Sequence, residues 1–174
     1  MPTSAAPRTT PIDLHAVRAL RAGRRGIMIC HNTMRGTSSH FLTGSRGTRV
    51  ATILVIEDNL AFRDLLRLHL RQAGHAVQTA QDPEEGLRSL IDTPPDLILL
   101  DLDLPYLNGF EVLEALRSDP VSQKIPVIIV TGHAEEDLHD RARAIGIEGF
   151  LTKPFKGEHL IQAIAKALAA RGEK

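Results

Sequence analysis

A parallel α/β sheet with helices on both faces is the fold class that the sequence predicts, and three observations carry it. Short apolar, β-branched runs recur from residue 50 onward without polar alternation, as strands buried on both faces require. A stretch of helical periodicity follows each run, so five strands alternate with five helices. Polar residues stand at the carboxyl ends of four runs: Glu57 and Asp58, Asp101, Thr131, and Lys153. The open edge formed by those ends is where such sheets make their ligand crevice.

The first run is Val50 to Ile56, ended by Glu57-Asp58. The helix after it covers about 60–73, with Phe62, Leu65, Leu66 and Leu70 as its apolar stripe and Gly74 as its stop. His75 to Ala80 is a short second strand. Asp82-Pro83 supplies an N-cap and a first-turn proline for a helix reaching about Ile91. Pro94-Pro95 breaks the chain before Asp96 to Leu100, a continuous apolar strand that ends in Asp101. Beyond the Pro105 and Asn108-Gly109 turn, Phe110, Val112, Leu113 and Leu116 give a third helix. Val127 to Val130 is the fourth strand, stopped by Thr131-Gly132. Glu135 to Ile145 is the fourth helix, acidic early and carrying Arg141 and Arg143 late, as its dipole prefers. Gly149-Phe150-Leu151 is a minimal fifth strand, and the last helix, about 156–170, presents Leu160, Ile161, Ile164 and Leu168.

Composition bounds the rest. The 174 residues, 43% hydrophobic and 24% charged, suit one globular domain with a tail. No apolar stretch approaches the roughly 18 residues of a membrane helix. Cys30 is the single cysteine, so no intrachain disulfide forms, which fits a cytoplasmic protein. The formal net charge of zero hides an asymmetry: residues 1–50 carry eight arginines against Asp13, whereas residues 51–174 carry 13 bases against 20 acids. Residues 1–49 therefore read as a basic, disordered extension, or one translated from an upstream start, with Met28 and Met34 as later candidates. A nucleic-acid arm and a targeting peptide are the competing readings. Dispersed arginines and a lone ring, Phe41, count against the nucleic-acid arm. Residues 50–174 form the folded domain, and no output domain is expected after it.

Three carboxylates gathered at one sheet edge repel one another and raise one another's pKa unless a cation joins them. Mg²⁺ suits such a site, bound through one or two carboxylates, waters and phosphate oxygens. Asp58 and Asp101 are the candidate direct ligands, with Glu57 acting through water. Asp101 is also a candidate nucleophile toward phosphorus. Lys153 then supplies a point charge to one phosphoryl oxygen and the Thr131 hydroxyl a hydrogen bond to another.

In order and spacing these residues resemble the response-regulator receiver family. Glu57-Asp58 is similar to its acidic pair, Asp101 to its phosphoacceptor, and Thr131-Gly132 to its hydroxyl and small residue. Lys153-Pro154-Phe155 resembles its lysine motif. Thr131 and Lys153 follow Asp101 by 30 and 52 residues, as in the family. The resemblance covers about 51–171. It implies a flavodoxin-like five-stranded sheet of order 2-1-3-4-5, a topology taken from the family rather than derived from the pattern. It implies a stand-alone, chemotaxis-regulator-like protein that takes a phosphoryl group from a phosphohistidine onto Asp101 with Mg²⁺. Asp103 then offers its backbone carbonyl to the metal, and Thr131 and Phe150 form the switch pair. The implied partners are a histidine kinase or histidine phosphotransfer protein and a downstream protein, with no direct DNA or membrane binding. Such a protein catalyses only its own phosphorylation and dephosphorylation.

Two other classes compete. Asp101-Leu102-Asp103 also resembles the Asp-x-Asp of haloacid-dehalogenase-type phosphatases, but their nucleophile lies on the first strand and their acidic pair comes last. A non-phosphorylated interaction module is the third class, which the full set of five residues disfavours. Taken singly, His133 reads as an exposed loop histidine, Asp103 as a surface acid and Phe150 as core.

Overall fold

The computed structural model describes residues 50–105 and 108–172, so the expectations for residues 1–49 lie outside the described residues. The strands are β1 (Thr52–Ile56), β2 (Ala76–Ala80), β3 (Leu97–Leu100), β4 (Val127–Thr131) and β5 (Gly149–Thr152). Between and after them run α1 (Leu60–Gln72), α2 (Pro83–Asp92), α3 (Gly109–Ser118), α4 (Glu136–Ile145) and α5 (Gly157–Gly172). All pairings are parallel, in the order β2-β1-β3-β4-β5. The parallel sheet is the one the sequence pattern predicts, and its strand order is the one the family resemblance implies.

Burial explains why the runs lack alternation. Ile53, Val55, Leu97, Leu99, Ile128 and Val130 pack with Leu66 and Leu70 of α1 and with Leu160 and Ile164 of α5. Their strand neighbours Leu54, Ile56, Ile98, Leu100 and Ile129 turn to the opposite side, against Leu87, Leu113, Leu116 and Ala142. Successive strand residues thus face two cores, one on each side of the sheet.

Local chemistry sets the element ends. Asn59 caps α1, its side chain accepting from the Phe62 N–H at 3.0 Å, and Gly74, at φ +88°, turns the chain out of that helix. Asp82 caps α2 with Pro83 in the first turn, as predicted. Asn108 and Glu111 form a capping box on α3. Two expectations change. Leu65 is exposed, because the i, i+4 row of Phe62, Leu66 and Leu70 is the one that meets the sheet. His75 lies before β2; it is buried, and its Nδ1 accepts from the Ala51 N–H at 3.4 Å. Burial lowers the His75 pKa.

Helix α3 starts hard against the end of β3. A Cβ on Gly109 would stand 2.5 Å from the Asp101 carbonyl oxygen and 2.6 Å from Leu102 Cα. Both are backbone atoms, so neither can swing aside. Gly109→Ala should therefore destabilise the domain by about 1–2 kcal/mol, since overpacking outweighs the helix-propensity gain. Chemical denaturation reads this; an unchanged or raised midpoint would mean that the close approach is not a constraint.

Candidate functional site

The carboxyl ends of β1, β3, β4 and β5 bring the predicted residues to one edge. The strand ladder extends into them: Glu57 N–H donates to the Ala80 carbonyl, Asp101 N–H to Ile56, and Lys153 N–H to Thr131, at 3.1, 3.0 and 2.7 Å. Register therefore fixes the backbones from which the functional side chains project. Asp101 is 3% exposed and Glu57 1% exposed, whereas Asp58 is exposed.

Lys153 is what meets Asp101. Its Nζ donates to Asp101 Oδ2 at 2.6 Å and to Glu57 Oε2 at 2.8 Å. Asp101 Oδ1 accepts from the Asp103 N–H at 3.0 Å. Burial pushes the Glu57 carboxyl up to about 7; the Lys153 hydrogen bond opposes this and the Asp101 charge adds to it. Burial also acts to lower the Lys153 ammonium. The hydrogen bonds and charges of Asp101 and Glu57 together outweigh it, and the pKa stands above the ordinary value.

Glu57, Asp58 and Asp101 each offer an oxygen within 4.8 Å of the others. Glu57 Oε1 is buried and has no hydrogen-bond partner among the described residues. A buried, orphaned carboxylate oxygen in an all-oxygen acidic cluster fits a hard divalent cation.

Thr131 is fully buried, yet its hydroxyl does not reach Asp101. It donates to Asp103 Oδ2 at 3.2 Å and accepts from the His133 N–H at 3.2 Å. His133 Nε2 stands 2.9 Å from Asp103 Oδ1 and its Nδ1 3.5 Å from Glu135 Oε2. The charges of Asp103 and Glu135 raise the imidazole pKa. His133 and Asp103 are exposed, as the sequence suggests, but paired. Phe150 is half-buried, its ring edge-on to His139 of α4 at 4.8 Å.

Two contributors were not foreseen. The Arg63 guanidinium donates to the carbonyls of Glu57 at 2.7 Å and Asp58 at 3.2 Å, steadying the acidic turn. The Phe62 ring lies under Lys153 Nζ, 4.4 Å from its centroid. A helix beginning just after an acidic strand end is the one sequence signal that could have pointed to either.

Residues 53–165 match the family model described as the response regulator receiver domain. The chain belongs to that family. Among curated relatives of this receiver domain, the phosphate regulon transcriptional regulatory protein PhoB of Pseudomonas aeruginosa is 31% identical over 121 residues. That match covers 70% of this chain and 53% of PhoB. The DNA-binding dual master transcriptional regulator RpaA of Synechocystis sp. is 36% identical, over 70% of this chain and 50% of RpaA. The chain thus spans about half the length of the curated relatives it matches. The solved structure of the chemotaxis protein CheY4 of Vibrio cholerae superposes with a TM-score of 0.65 at 28% identity, covering 68% of this chain and 99% of that one. Family membership makes the domain a signalling module of two-component systems, and the phosphatase reading falls away. No helix among the described residues is long and apolar enough to cross a membrane.

Proposed function

We propose that Asp101 accepts a phosphoryl group from the phosphohistidine of a kinase or phosphotransfer protein, and that this switches a protein-binding surface on α4, β5 and α5. The observation that carries the reading is the buried Asp101 carboxylate held by Lys153 beside a buried acid with an unpartnered oxygen. An Asp101 oxygen attacks phosphorus as the phosphorus–nitrogen bond breaks. Lys153 moves from the carboxylates to a phosphoryl oxygen, and Thr131 binds another. Asp58, Asp101, Glu57 and the Asp103 carbonyl would hold Mg²⁺, which when bound supplies positive charge to the phosphoryl oxygens. Intact mass before and after acetyl phosphate with Mg²⁺ tests the proposal: one added, hydroxylamine-labile phosphoryl group supports it, and none refutes it.

We extend the same reading to the domain boundary. A chain beginning at Arg49 should melt and take up phosphate like the full protein. A large fall in melting temperature on that truncation would put residues 1–49 in the fold.

Metal binding carries a pH signature. The Glu57 carboxyl titrates near 7 when folded, against an ordinary value of 4.5. A raised acid stabilises the fold below its unfolded value, and that contribution is lost as pH rises to about 7. Mg²⁺ needs the carboxylate, so its stabilising effect should grow across that window. Asp58→Asn should weaken Mg²⁺ binding by about tenfold or more, the scale of one unit charge at close range. Melting temperatures with and without Mg²⁺ from pH 5 to 8 check this; a Mg²⁺ effect that is flat across the window would contradict it.

A further inference from the structure

We infer that Phe62 is a positioning residue for Lys153, its ring forming an aromatic seat that holds the ammonium at the mouth of the site. The inference rests on the role given to Lys153 above and deepens it.

Lysine ends in a compact charge on a flexible four-carbon stem, so something must limit where that charge goes. Two carboxylates hold Nζ from one side, Asp101 Oδ2 at 2.6 Å and Glu57 Oε2 at 2.8 Å. The Phe62 ring lies against it as well, with its centroid 4.4 Å from Nζ. An aromatic face is the negative part of the ring quadrupole and attracts a cation at this distance. Unlike the carboxylates, it neither takes a proton nor competes as a nucleophile or metal ligand. When Lys153 leaves Asp101 for a phosphoryl oxygen, the ring keeps the ammonium close without opposing the transfer.

The ring is itself held in place. Asn59 accepts from the Phe62 N–H at 3.0 Å, which fixes that residue in the first turn of α1. Phe155, two residues after Lys153, meets the Phe62 ring edge-on at 5.8 Å and 83°. The N-cap and the strand-end loop thus set the ring from two directions. Plain core packing would also place a phenylalanine here, since Phe62 packs against the core beneath α1 and α5. The two roles differ in whether the face of the ring matters or only its bulk.

Phe62→Met keeps an apolar side chain and removes the face, whereas Phe62→Tyr keeps the face. In the full chain, Phe62→Met should slow phosphorylation by acetyl phosphate by about fivefold, the scale of one cation–π contact. Phe62→Tyr should rescue most of that rate. The wild-type Lys153 εCH₂ protons should resonate upfield of the other lysines through the ring current; the shift should vanish in Phe62→Met and return in Phe62→Tyr. Equal slowing in both variants, or Lys153 protons without an upfield shift in the wild type, overturns the inference. A wild-type protein that takes no phosphoryl group refutes the role of Asp101 instead, and the ring-current result still judges the seat.

Discussion

Asp101→Asn should abolish phosphoryl uptake while leaving the domain folded. An amide offers no anionic oxygen to attack phosphorus, and it removes one of the three acids that could share a cation. The substitution is nearly isosteric, and the amide's one carbonyl oxygen can accept either from the Asp103 N–H or from Lys153, but not from both. Lys153 keeps Glu57 at 2.8 Å, so no buried charge is stranded. The loss of a carboxylate beside Glu57 also relieves repulsion, since the Asp101 charge raises the Glu57 pKa. The variant should melt at or above the wild-type temperature, yet show no mass increase with acetyl phosphate and Mg²⁺. A hydroxylamine-labile phosphoryl group retained on it would move the acceptor to another residue.

What the sequence made legible, and what it hid, follows from how local each signal is. Strands buried on both faces must be apolar throughout, so Leu97–Leu100 and Val127–Thr131 announce themselves. Parallel strands put their carboxyl ends on one edge, so the polar residues ending them are gathered by topology alone. Side-chain pairings among those residues are another matter. The Thr131 hydroxyl finds Asp103 because the β3–α3 and β4–α4 loops meet, and nothing near either residue encodes that. Phe62 reads locally as one more residue of an apolar stripe; only the folded sheet brings Lys153 over its ring. The misplacement of Leu65 has the same root, since helical periodicity gives a stripe but not the row of it that faces the sheet.

Thr131→Ala should uncouple phosphorylation from the signalling surface while leaving the chemistry largely intact. In the structure the hydroxyl proton is committed to Asp103 Oδ2, and a hydroxyl has only one to give. On the proposed function, a phosphoryl group on Asp101 would compete for that proton, and winning it would release the Asp103 carboxylate and draw the start of the β4–α4 loop inward. Helix α4 is only lightly held at that end: Glu135 makes no side-chain cap, Leu138 packs on the core but is only partly buried, and Ala142, in the second half, is its one buried residue. Phe150 packs edge-on to His139 of the same helix, so a shift of α4 changes the space the ring can enter. Phenylalanine has no hydroxyl to satisfy, so burial alone favours the inward ring. Phosphorylation moves the two-state equilibrium only by the difference between the hydroxyl's bond to a phosphoryl oxygen and its bond to the Asp103 carboxylate, both charged acceptors. Alanine forfeits that term, whereas Asp101, Lys153 and the acidic pair are untouched, so phosphoryl uptake persists. The measurement is the set of NMR shifts across residues 133–160 when beryllofluoride is added as a phosphoryl mimic. Large shifts in the wild type and small ones in Thr131→Ala are expected; identical large shifts in both would mean that Thr131 does not carry the coupling.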